Sequence, residues 1–139
     1  MSQLKMRLLL ASSILVLLPG CALIDAYLMA RYDNNEYYII TNIRTESEIG
    51  QQYCGDQAKA KVIFDKLYAE SKLFLNFTEN IPRNQDAHNL AKNLVELTTQ
   101  GKKQYADNET VSQGFCKLKL QQINRASESI QKVTGSKAR

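Results

Sequence analysis

The sequence predicts an all-α fold, an antiparallel bundle of about four helices with one disulfide. Three observations carry that expectation. Apolar residues recur at spacings of three and four in successive segments, short glycine-, proline- or asparagine-containing breaks separate those segments, and two cysteines fall where such a bundle would bring them together.

The first element begins after Asp33, which with Glu36 forms a capping-box pattern, and Ile39, Ile40, Ile43 and Tyr53 can then share a helical face. The run Tyr37 to Ile43 also fits a short strand, but helix is the preferred reading. Gly50 weakens this helix and Gly55 ends it, leaving Asp56 to cap the next. From Gln57 to Glu79 the set Ala60, Ile63, Phe64, Leu67, Phe74 and Phe77 gives a second, amphipathic helix. The stretch Asn80-Ile81-Pro82-Arg83-Asn84 breaks it, because a residue before proline is pushed out of helical space. Asn84 then suits the cap of a third helix, whose stripe is Ala87, Leu90, Ala91, Leu94, Leu97, Gly101 and Tyr105. Thr110 and Gln113 form a further capping-box pattern, followed by Cys116, Leu120, Ile123, Ala126, Ile130 and Val133 in a fourth helix ended by Gly135.

The N-terminal stretch has a different character. Lys5 and Arg7 precede eleven apolar-rich residues, Leu8 to Leu18, and then Pro19, Gly20 and Cys21. A short positive, apolar, small-residue order is the secretory signal pattern, and eleven residues fall short of the ~20 that a membrane-spanning helix needs. Leu18-Pro19-Gly20-Cys21 resembles the lipobox of bacterial lipoproteins. The resemblance implies removal of residues 1–20, a diacylglyceryl thioether on Cys21 and acylation of the new N-terminus. Residues 21–33 would be a membrane-proximal lead-in, and 34–139 the helical domain. Burying acyl chain contributes about 0.8 kcal/mol per CH₂, so two or three chains would hold the protein durably on a bilayer. Ala22 stands where inner-membrane retention usually has Asp, which implies an outer-membrane, periplasm-facing lipoprotein.

Export also decides how the other two of the three cysteines are read. In an oxidising compartment Cys54 and Cys116 form an even pair, and an up-down-up-down bundle places both at one end. They lie 62 residues apart, a closure that contributes about 4 kcal/mol in the chain-entropy model. A metal or redox pair is disfavoured by the lack of C-x-x-C spacing and the presence of a single histidine, His88.

Composition limits the function classes. The formal charge of +4 falls to +2 once residues 1–20 are removed, too little to argue for nucleic acid. The C-terminal half is the basic one, and its tail residues Lys132, Lys137 and Arg139 are candidates for contact with anionic headgroups. His88 reads as a solvated or core-edge histidine, and Asp86 and Glu96 show no pairing that would set one as acid and the other as base. No nucleophile elbow, phosphate loop or haem motif appears, so neither an enzyme nor a cofactor or metal centre is expected. Seven tyrosines are the compositional excess, with Tyr27, Tyr32, Tyr37 and Tyr38 crowded near the lead-in. These rings suit a partner-binding face or a membrane interface, or else line grooves between helices. The expected function is therefore a membrane-anchored, non-enzymatic factor that binds an envelope protein, similar in general form to the helical lipoproteins that pilot secretins. The alternative is a carrier that holds an apolar ligand between its helices.

Overall fold

A computed structural model describes residues 30–107 and 110–139 of the chain. Four α-helices account for most of it: α1 (Asn34–Gly50), α2 (Gln57–Glu79), α3 (Gln85–Asp107) and α4 (Gln113–Gly135), with a 3₁₀ turn, Gln51–Tyr53, between α1 and α2. Tyr37 to Ile43 is helical, so the strand alternative is excluded. Among the described residues there is no strand. Each helix packs against its two sequence neighbours in a closed ring, because α1 also packs against α4. This is the up-down-up-down bundle expected from the short connections.

The buried positions explain the packing. They run Glu36, Ile40, Ile43, Ser47, Gly50 and Cys54 along α1 and its turn, and Ala60, Phe64, Leu67, Ser71, Phe74 and Thr78 along α2, where Ile63 is also buried beside Phe64. In α3 they are Ala87, Ala91, Leu94, Thr98, Gly101 and Tyr105, and in α4 Cys116, Leu120, Ile123, Ser127, Ile130 and Thr134. Steps of three and four alternate throughout. That is the 3.5-residue repeat of helices that pack at shallow angles along their whole length. The repeat is kept by placing Ser or Thr where apolar residues run out. Ser47, Ser71, Thr98 and Thr134 donate their hydroxyls to carbonyl oxygens of their own helix, at 2.7 to 3.2 Å, and are thereby buried without an unmet hydrogen bond. Ser127 Oγ is buried without a partner.

Two capping expectations are corrected. Asp33 caps α1, accepting from Asn35 and Glu36 N–H at 2.8 and 3.0 Å, but the Glu36 carboxylate turns into the bundle instead of closing the box. The cap of α4 is Ser112, accepting from Phe115 N–H, and not Thr110. Asn84 supplies the first backbone acceptor of α3, yet its side chain also faces inward. Asp56 caps α2 as its position implied, accepting from Lys59 N–H at 3.0 Å.

Each seam of the ring carries a polar strap over the apolar layer. Lys66 meets Glu46 across α1 and α2 at 2.7 Å. Lys102 reaches Asp65 and lies over the Tyr68 ring across α2 and α3. Lys119 donates to Gln100 between α3 and α4. The α1–α4 seam is the most elaborate: Arg44 donates to Gln131 at 2.7 Å, Gln131 to Thr41, and Asn124 to the Arg44 carbonyl. Exposed pairs of this kind contribute at most about 1 kcal/mol each, so they select partners more than they stabilise.

Candidate functional site

The two ends of the bundle differ in chemistry. At one end the disulfide joins Cys54 and Cys116, with S–S 2.00 Å and Cα–Cα 5.6 Å, and both residues are wholly buried. Gln57, in the first turn of α2, pairs with Val111 in both directions: its Nε2 donates to the Val111 carbonyl at 2.7 Å and its Oε1 accepts from Val111 N–H at 2.9 Å. The α3–α4 connection is thus fastened to α2 by one amide, and the first turns of α4 to the α1–α2 turn by one covalent bond.

Beside this fastening lies an open apolar groove of about 510 Å³, lined by Tyr53, Ala58, Lys59, Val62 and Ile63. Val62 is 66% exposed, and Ile49, one turn before Tyr53, is 46% exposed. Lys59 bends toward Asp56 at 3.3 Å and over the Tyr53 ring at 5.6 Å, so its charge stays at the rim. Gly50 shapes the floor. A Cβ there would come within 2.9 Å of Ile63 Cγ2, so the absence of a side chain lets Ile63 settle against α1.

The opposite end is sealed by charge. Lys137, just beyond α4, sends its ammonium into the bundle, 2.5 Å from Glu36 Oε2 and 2.5 Å from Asn84 Oδ1, while Asn84 Nδ2 donates to Glu36 Oε1 at 2.7 Å. All three side chains are buried. A buried charge is tolerable only when paired and hydrogen-bonded, and this triad meets both conditions across segments far apart in the chain. Next to it, Thr78 Oγ1 lies 3.2 Å from His88 Nδ1, which places the single histidine at the core edge. A polar hollow of about 430 Å³ covers the α2–α3 turn, with Glu79, Arg83, His88 and Lys92 in its wall. Arg83 holds a positive φ of 62°, the left-handed geometry that turns the chain here.

The predicted site residues divide among these places. Cys21 and Tyr27, with residues 1–20, lie outside the described residues. Tyr32 and Tyr37 come together at 5.9 Å between ring centroids. Their faces are occupied from within, Tyr37 lying over Gly135 and Tyr32 under the Arg139 guanidinium at 5.2 Å. Tyr38 stands 65% exposed. Of the three basic residues suggested for headgroup contact, Lys137 is corrected, because it is buried against Glu36; Lys132 pairs with Glu128 at 2.8 Å and Arg139 lies over Tyr32, both on the surface. The spacing of apolar residues does not reveal the groove, since Tyr53 fits the core face of the first helix and Val62 fits no stripe. The available signal was Val62, an apolar residue off the stripe of an otherwise amphipathic helix.

Among the described residues, no group of three or more His, Cys, Asp or Glu is placed to hold a metal ion, and no helix is long and apolar enough to cross a membrane. Comparison of the chain with family models, with curated proteins and with solved structures gave no match.

Proposed function

We propose that the protein is a lipid-anchored envelope factor, tethered through Cys21, whose bundle binds another protein with the apolar groove beside the disulfide. The observation that carries this reading is the opposition of the two ends. The backbone from Ala30 to Asp33 reaches the bundle at the Glu36–Lys137 end, where Tyr32 N–H donates to the Ala138 carbonyl at 2.9 Å. Tyr53, Val62 and Ile49 lie at the other end. A tether at one end and exposed apolar side chains at the other suit a molecule that reaches away from a membrane toward a partner. Aromatic and aliphatic side chains in a shallow depression, with charge confined to the rim, match the anatomy of transient protein interfaces.

The carrier alternative is less favoured. The positions between the helices, Phe64, Leu67, Phe74, Leu94, Leu120 and Ile123 among them, are filled by buried side chains, and the groove and the polar hollow described above both open on the outside of the bundle.

The test places a photo-crosslinking residue at Val62 and, separately, at Glu96, an exposed position on α3, in the protein within its own envelope. Capture of one protein from Val62 and none from Glu96, abolished when Tyr53→Asp is added, is the expected result. Equal capture from both positions contradicts the groove as the docking face.

A further inference from the structure

The C-terminal tail closes over the stretch that joins the bundle to its tether, and we propose that this closure is a latch guarding a proteolytic release site at the Arg31–Tyr32 peptide bond. The proposal rests on the anchored reading for its consequence, release from the membrane, but not for the latch itself.

Three contacts form the latch, each from a successive residue. Lys137 is 3% exposed and holds both Glu36 and Asn84. The Ala138 carbonyl accepts the N–H of Tyr32, which is the amide nitrogen of the Arg31–Tyr32 bond itself. Arg139 covers the Tyr32 ring. Arg31, by contrast, is exposed, and the backbone from residue 30 to 33 is not helical. An exposed Arg on backbone outside any helix is the recognition element of trypsin-like serine proteases, whose specificity pocket pairs the guanidinium with a carboxylate. Such an enzyme must draw several residues out into its cleft, so a bond whose amide is tied to the tail is cut only when that contact opens.

The position of this bond gives the cut a consequence that others lack. Most other basic side chains of the described residues lie inside the four helices. Arg83, in the α2–α3 turn, lies between Cys54 and Cys116 in sequence, so cutting there leaves both pieces joined by the disulfide. Hydrolysis at Arg31–Tyr32 adds one water, leaves a carboxylate on Arg31 and an amine on Tyr32, and frees residues 32–139 with the groove and the disulfide intact. A trypsin-like protease acting on the unlatched chain would therefore convert a tethered factor into a diffusible one.

The test compares the full chain with two variants, one lacking residues 137–139 and one in which that deletion is combined with Glu36→Gln to avoid a stranded buried carboxylate. Each is held in phosphatidylethanolamine–phosphatidylglycerol vesicles and treated with dilute trypsin. Mass spectrometry follows the fragment that begins at Tyr32, and amide exchange at Leu67 and Leu94 monitors the core. Faster cutting at Arg31 in both variants, by about tenfold or more, with core exchange still slow, is expected. An unchanged rate, or core amides that open together with the cut in both variants, overturns the latch. Faster cutting with the Tyr32 fragment still on the vesicles upholds the latch and overturns the anchored reading.

Discussion

Gly101 sits in the middle of α3, where glycine is normally a poor choice by about 1 kcal/mol relative to alanine. Its reason is the Phe64 ring, which lies against the α3 backbone and stacks on Tyr105 at 5.2 Å between centroids. A methyl at position 101 would overlap that ring, which is wholly buried. Gly101→Ala should therefore lower unfolding free energy by about 1–3 kcal/mol despite the gain in helix propensity. Gly114→Ala, in the first turn of α4 with open space around it, should leave stability unchanged or raise it by up to about 1 kcal/mol. Urea unfolding of the two variants beside the parent measures both, and a stabilised Gly101→Ala would show that the ring is not held as described. At this scale the sequence was partly legible. Gly101 stood in the apolar stripe without revealing why, and Glu36, Asn84 and Lys137 resembled capping or solvated residues. Their burial depends on three segments meeting, which local spacing does not encode.

At the level of elements, the helices and their order were legible because each shows apolar residues at steps of three and four. The less legible part was the continuation of that repeat through Ser47, Ser71, Thr98, Ser127 and Thr134. Hydropathy marks these as polar, yet four of them satisfy their hydroxyls on their own helix and so share the buried seam. The α1–α2 seam holds a residual tension that yields a prediction. Glu70 Oε2 is buried without a hydrogen-bond partner, and desolvation pushes the Glu70 carboxyl above its usual range, with Lys66 opposing and Glu46 adding to the shift. Because the folded state holds this proton more tightly than the unfolded chain, stability is greater on the acid side and falls as pH rises from the ordinary carboxyl value, 4.5, through the raised folded value. Glu70→Gln should remove that slope and stabilise the neutral protein by up to about 1 kcal/mol, a modest figure because solvent screens the half-buried group. Thermal unfolding of parent and variant from acid to neutral pH tests it. The difference between them should widen toward neutrality, and a difference independent of pH would contradict the assignment.

Across the whole molecule, the bundle is closed at both ends by different chemistry: a covalent bond near the groove and an ionic triad where the lead-in meets the tail. The disulfide was legible from cysteine parity, the export that the N-terminal pattern led one to expect, and the topology together. The groove was not, since it depends on how Gly50 admits Ile63 and leaves Tyr53 and Val62 outside. Of the tyrosines that the composition singled out, Tyr32 and Tyr37 serve the junction of tail and lead-in, and Tyr38 stands exposed. With the proposed tether at the ionic end and the proposed partner at the covalent one, function turns on what Cys21 carries. Intact-mass spectrometry of the protein extracted from its own envelope measures that directly. The account predicts a chain beginning at Cys21, heavier than residues 21–139 by a diacylglyceryl group and an acyl chain, and lighter by two hydrogens for the Cys54–Cys116 bond. A lipid-free chain that still carries residues 1–20 would contradict it.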